Sequence, residues 1–252
     1  MHNIDKTKLF RHLTEQHVDD VVFLWLLPSQ AMTQSQHTHA SIKKLESRIN
    51  NHLKGLAVTP EEAWEAAWQA TEFQEGGEAF TLAMLAFSNE DIQKTEAAIN
   101  FGMENPATFN GLLSALGWLP FDKMYSWLKH WLNSQSPVLR HLAIAVCSIR
   151  RINPHEHLGA LFDDGQSREH LPLYCRMLRL VGELKRQDFA PILVQAQAHE
   201  DPMVAFWACR SSLLLGDSQV LQKLTPCIRQ AGPQQAATIE IAFRHPHKKL
   251  KK

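Results

Sequence analysis

The sequence predicts an all-α fold, and three observations carry that prediction. Apolar residues recur at helical spacing in segment after segment. No run sustains period-two alternation, and no Asn-Gly or Asp-Gly hairpin stands between alternating strands. Turn formers are scarce, 11 Gly and 12 Pro in 252 residues, too few for the tight turns of a sandwich or barrel. Hydrophobic residues at 44% against 21% charged exclude wholesale disorder. The length is sufficient to bury a sizeable core.

The elements follow in order. Leu9, Leu13, Gln16, His17, Val21 and Leu24 fall at helical spacing and predict a first helix ending near Pro28. Ile42, Leu45, Ile49, His52 and Leu53 predict a second, stopped at Gly55. Thr59-Pro60-Glu61-Glu62 is a helix start, with Thr as N-cap, Pro in the first position and acids in the first turn. Its body carries Ala63, Trp64, Ala67 and Trp68. Beyond Gly77 the helices shorten. They are divided at Asn105-Pro106, Ser136-Pro137, Asn153-Pro154, Asp201-Pro202 and Gly232-Pro233.

These starts recur. Pro106 and Pro137 are 31 residues apart. A further 31 reaches Arg168 in the helix start Gln166-Ser167-Arg168, and Pro202 follows 34 later. Val181-Gly182-Glu183-Leu184 and Leu215-Gly216-Asp217 repeat at 34. A unit of 31–34 residues holding two antiparallel helices cannot bury its apolar stripe alone, so neighbouring pairs must stack. The expected architecture is therefore a HEAT-like α-solenoid of about 12–14 helices. Residues 1–59 form N-terminal capping helices, 60–244 hold about five helix pairs in one continuous domain with the cap, and 245–252 form a basic flexible tail. The expected stripes are Leu171, Cys175, Leu178 and Val181, then Val204, Trp207, Ala208, Ser211, Leu214 and Leu215. Gly111, Gly117, Gly182 and Gly216 are expected to allow close approach or cap a helix.

Several further stretches carry a resemblance. They are Gln16-His17 with Phe23-Leu24-Trp25, Leu45 with Arg48 and His52-Leu53, and Phe80 through Ala86. Gly111 through Pro120 (GLLSALGWLP), Gly182-Glu183-Leu184, Phe206-Trp207-Ala208 and Ser211 to Asp217 continue it. Over about residues 12–217 the chain resembles a proteobacterial HEAT-repeat protein family of unassigned activity, often found in type VI secretion gene neighbourhoods. The resemblance implies a bacterial accessory or adaptor protein. Its partner would be another protein, a secreted effector or a secretion-tip component. It brings no catalytic residues. The chain is shorter at its C-terminal end than the family leads one to expect.

Enzymatic and metal readings find little support in the residues. G-x-S-x-G, P-loop, G-x-G-x-x-G and kinase signatures are all absent. His37-x-His39, His155-x-His157 and His245-x-His247 are i, i+2 pairs, which point to different helix faces and chelate poorly. His17 and His52 lie on apolar stripes and are expected as hydrogen-bonded core histidines joining the first two helices. Cys147, Cys175, Cys209 and Cys227 form no C-x-x-C pair and read as buried hydrophobes in a reducing, cytoplasmic compartment. A thiol dyad of Cys147 or Cys175 with a distant His lacks any motif. No cofactor or metal is expected. Val21 to Leu27 is far too short to span a membrane. Lys plus Arg and Asp plus Glu are both 26, and this balance argues against nucleic-acid binding.

Charge distribution points to a surface instead. Residues 1–59 carry net +2, residues 60–110 net −9 with Lys94 the single base, and residues 111–252 net +7. The i, i+4 pairs Trp64/Trp68 and Trp127/Trp131 are expected to pack between repeats, an aromatic binding face being the alternative. Arg176 and Arg210, one 34-residue period apart, predict a ladder opposite the core, with Arg179 and Arg140 near it. These four arginines are the candidate protein-binding residues of a non-enzymatic interaction scaffold. Two other readings stay open. An immunity protein could neutralise a basic toxin through Glu61 to Glu104. A DNA glycosylase on a HEAT-like scaffold is the other, disfavoured by zero net charge.

Overall fold

The computed structural model describes residues 6–31, 39–229 and 233–244. Among these residues it is all-α: fifteen α-helices, two 3-10 turns and no strand. The chain forms two compact units, Met1–Trp127 and Leu128–Lys252. The first holds α1 (Lys6–Ala31), α2 (His39–Leu56), α3 (Pro60–Gln69), α4 (Gly76–Asn89), α5 (Ile92–Gly102) and α6 (Pro106–Trp118). The boundary falls within α7 (Phe121–Leu132). The second unit holds α8 (Pro137–Arg150), α9 (Glu156–Asp163), the short α10 (Gly165–Glu169) and α11 (Leu171–Glu183), then α12 (Ala190–Ala196), α13 (Pro202–Leu214), α14 (Leu221–Arg229) and α15 (Pro233–Arg244). No described helix is long and apolar enough to cross a membrane. The expected tail at 245–252 lies outside the described residues, as does Gly232.

The contact pattern divides the chain at 127/128. Its physical reason lies in α4, which packs against α1, α3, α5 and α6 and so binds the two leading helices into the first unit. Every α4 residue from Gly76 to Phe87 except Met84 is buried, as a helix apolar on all sides must be. Phe80 is enclosed by Trp25, stacked at 6.1 Å, and Trp118, edge-on at 5.3 Å. Trp25 Nε1 donates to Ser114 Oγ at 3.0 Å and ties α1 to α6. The helices meet through glycines. A Cβ on Gly111 would lie 1.9 Å from the Gly76 carbonyl oxygen, and one on Gly77 would lie 2.5 Å from that of Val22. Only residues without side chains permit this approach.

In the second unit the proline-headed helices α8, α11, α13 and α15 each pack on the next, and α12 and α14 pair with α13 and α15. One expected start shifts. The helix at Arg168 is only the five-residue α10, and the long helix begins at Leu171 with Pro172. Side-chain bonds join residues about one period apart. Lys94 Nζ donates to Glu61 at 2.7 Å, Lys123 pairs with Glu90, Asn105 Nδ2 donates to the Gln74 carbonyl at 3.0 Å, and Arg186 donates to Asn153 at 2.8 Å.

Local expectations fare unevenly. Asn105 and Asp201 cap α6 and α13 through their side chains. Thr59 and Ser136 do not; the Thr59 hydroxyl instead meets that of Thr14 at 3.3 Å. Pro28 lies inside α1, which runs on to Ala31. Leu13 and Leu171 are exposed rather than inward-facing. Gly182 does permit close approach, since a Cβ there would lie 2.7 Å from Ser211 Cα, and Gly216, at φ +106°, ends α13 in the left-handed region. Gly117 is exposed.

Gly111→Ala should lower unfolding free energy by at least about 2 kcal/mol, because the new methyl must force α4 and α6 apart. Gly165, with nothing within 4 Å of an added Cβ, is the control, and Gly165→Ala should stay within about 1 kcal/mol of the parent. Urea denaturation followed by circular dichroism measures both.

Candidate functional site

The expected arginine ladder lies in the second unit, on α11 and α13. Successive turns of α11 carry Arg176, Arg179 and Glu183, and the facing helix α13 carries Trp207 and Arg210. The Arg179 and Arg210 guanidiniums stand over the Trp207 ring, 5.1 and 5.4 Å from its centroid. Each contact is a cation–π interaction, strengthened where water is partly excluded. Trp207 is itself half-buried, edge-on to Phe206 at 5.1 Å. Its place on a fully packed stripe was therefore only half legible: the ring is both packing surface and platform.

Glu183 anchors the cations. Its side chain is 8% exposed and accepts from Arg179 Nε at 2.8 Å. Arg151 approaches within 3.6 Å, and the Ser148 hydroxyl also donates to it. Ser148 belongs to α8, so this carboxylate links α8 to α11. Burial holds the Arg176 guanidinium down to about 10, and Arg179 pushes the same way; Glu183 and Cys175 oppose them. Arg176 therefore stays charged near neutral pH. Nearby, burial, Arg176 and His170 together hold His141 down to about 4, which keeps its imidazole neutral.

These arginines differ from expectation in one respect. Arg176, Arg179 and Arg210 are half-buried rather than standing on an open face opposite the core, because long side chains lay their stems along apolar surface. Arg140 does not join them. It is 9% exposed, and its Nε donates to the Ser134 carbonyl at 2.6 Å. Its NH1 donates to Asp164 at 2.8 Å and to Ser167 Oγ at 3.0 Å. The Ser167 hydroxyl and backbone N–H, with Arg140 adding to them, hold the Asp164 carboxyl below its usual range. Arg140 is an internal strut between α8 and the α10 turn.

The other singled-out residues separate similarly. Trp64 and Trp68 stack at 5.6 Å on one face of α3, with Lys94 Nζ 5.8 Å from the Trp64 ring centroid and Trp68 exposed. Trp131 is buried, and Trp127 meets Phe87 edge-on at 5.7 Å. Burial raises the Cys147 thiol to about 12; burial, and then Asp201, raise Cys175 to about 11. Neither is a thiolate near neutral pH, so neither is primed as a nucleophile. His155 caps α9 with positive φ. The pairs at His37 and His245, and the Cys227 side chain, lie outside the described residues. His17 and His52 do bond each other, Nδ1 to Nδ1 at 3.0 Å across α1 and α2.

Comparison with known proteins finds no matching family model, curated protein or solved structure.

The neutral His141 makes stability depend on pH. Its folded value of about 4 lies below the ordinary imidazole value of 6.5, so between these limits the unfolded chain binds more protons and stability rises with pH. Acidification from 6.5 to 4 should remove roughly 2–3 kcal/mol through this residue. His141→Gln should flatten that part of the profile, as measured by denaturant unfolding at stepped pH.

Proposed function

We propose that this chain is a non-enzymatic protein-interaction scaffold built of HEAT-like helix pairs, and that it docks an acidic partner surface through Arg176, Arg179 and Arg210 around Trp207. One observation carries the reading: the Arg179 and Arg210 guanidiniums meet over one half-buried Trp from two adjacent helices, Glu183 pairs with Arg179, and Arg176 lies one turn before Arg179 within its electrostatic reach. Arg and Trp are the side chains that dominate interface energetics, and guanidiniums bind carboxylates bidentately. The serial packing of α8, α11, α13 and α15 supports the repeat architecture. In keeping with the sequence resemblance, the scaffold is an adaptor associated with type VI secretion, holding an effector or a tip component.

A specific feature of the first unit favours immunity as the second reading. A cavity of about 560 Å³ is lined by Arg11, Glu15, Glu62 and Glu65 among others, with Arg11 paired to Glu15 and the other two carboxylates exposed. Lys94, the single base of residues 60–110, is engaged with Glu61. The exposed carboxylates there suit a basic toxin.

Because Arg176 and Arg210 are half-buried, charge reversal would seat carboxylates in partly desolvated positions, so the milder Arg176→Gln with Arg210→Gln is the informative pair. It should retain the helical circular dichroism spectrum and weaken capture of the native partner at least tenfold in titrated pull-downs. Undiminished capture by the folded double variant would remove the arginine row as the docking site. Deletion of the gene separates the two roles. Loss of effector secretion is expected of an adaptor, whereas susceptibility of the deletion strain to a neighbouring toxin would establish immunity.

A further inference from the structure

Independently of that reading, the interface between α1 and α2 brings together three metal-ligating side chains. His17 and Asp20, three residues apart, lie on one face of α1, and His52 reaches them from α2. The two Nδ1 atoms are 3.0 Å apart, and Asp20 Oδ2 lies 3.6 Å from His52 Nδ1. All three ligand atoms fall within 4.8 Å of one another. The imidazole planes are inclined at 72°, so the rings converge edge to edge instead of stacking.

We propose that His17, Asp20 and His52 bind one divalent transition-metal ion of the zinc class, clamping α1 to α2. The distances fit the coordination. Zinc bonds of about 2.0–2.1 Å in a tetrahedron place ligand atoms about 3.3 Å apart. The two His52 edges, 3.0 and 3.6 Å, fall on either side of that value, and the third lies within 4.8 Å. A hydrogen bond between the imidazoles needs one Nδ1–H and one lone pair; on binding, the donor ring shifts its proton to Nε2, so that the ion takes both Nδ1 lone pairs. The Asp20 oxygen is too far for a good hydrogen bond to His52, yet it stands where a third, anionic ligand belongs. Two nitrogens and one oxygen suit zinc better than calcium or magnesium, which take oxygen ligands.

Access and support are both present. The side chains of His52 and Asp20 are 21% and 38% exposed, which leaves an entry path and room for water as a fourth ligand. Gly55, one turn beyond His52, makes the arrangement possible. A Cβ there would lie 2.9 Å from both Cδ2 and Nε2 of His17, so any side chain would push the ring away from its partners.

Chelator-stripped full-length protein is titrated with Zn²⁺ against a chromophoric competitor, and Co²⁺ is added in parallel for its visible spectrum. The expected result is one equivalent bound with micromolar or tighter affinity and an intense tetrahedral Co²⁺ band. Asp20→Asn, at a half-exposed position that leaves packing intact, should weaken Zn²⁺ at least tenfold. Gly55→Ala should weaken it with all three ligands still in place. His17→Gln with His52→Gln should abolish the tight equivalent. No tight equivalent in the parent overturns the proposal. So does its retention in the double histidine variant, which would assign it to other histidines. Should that double variant fail to fold, Asp20→Asn decides: unchanged Zn²⁺ affinity overturns the site, and a tenfold loss sustains it.

Discussion

Because Gly76 and Gly111 have no side chains, α4 and α6 approach until backbone meets backbone, and the rest of the first unit is arranged around that contact. Interiors are packed as densely as crystals, so an approach this close leaves no slack to absorb an added methyl. It also sets where the aromatic residues go. Phe80 and Trp25 fill the space beside the glycines, and the Trp25 indole reaches Ser114 on α6. The second unit repeats the device with different residues, Gly182 on α11 lying against Ser211 on α13.

That second close approach has an electrostatic consequence. It brings the flanking turns of α11 and α13 together, so Arg179 and Arg210 meet at one Trp207 ring. Gathered cations repel, and partly desolvated ones cost free energy unless paired. Glu183 supplies the counter-charge, and its own burial is balanced by Arg179, Arg151 and Ser148. His141 contributes no charge of its own near neutral pH, since burial, and then the neighbouring Arg176, disfavour its protonated form. The result is a cluster of half-buried cations whose side chains are already ordered within the fold.

The polar contacts inside the first helical hairpin follow the same logic on a smaller scale. Imidazoles set into an apolar interface need partners, and each of His17 and His52 satisfies the other. Thr14 and Thr59 form a second such contact nearby in sequence. These pairings fix the register between α1, α2 and the start of α3, where apolar packing alone would tolerate sliding.

Periodicity and start signals were enough to establish the helical class and most of the proline-headed helices, because a 3.6-residue pattern and a fixed φ at Pro are local properties. The pairing of His17 with His52 and the close approach at Gly111 and Gly182 were also legible, since each residue type permits few alternatives at such positions. Tertiary structure decided the rest. Arg140 and Arg176 look alike in a sequence, yet one is a buried strut to Asp164 and the other a half-buried member of the cluster on α11 and α13. Pro172 rather than Arg168 heads its helix, because the Asp164 side chain captures the Ser167 backbone and spends those residues on a short turn. The boundary at residue 127, the convergence on Trp207 and the position of Asp20 beside two imidazoles all depend on distances between helices. Side-chain geometry between distant segments is set by packing, and packing is a property of the whole chain that no single window of residues contains.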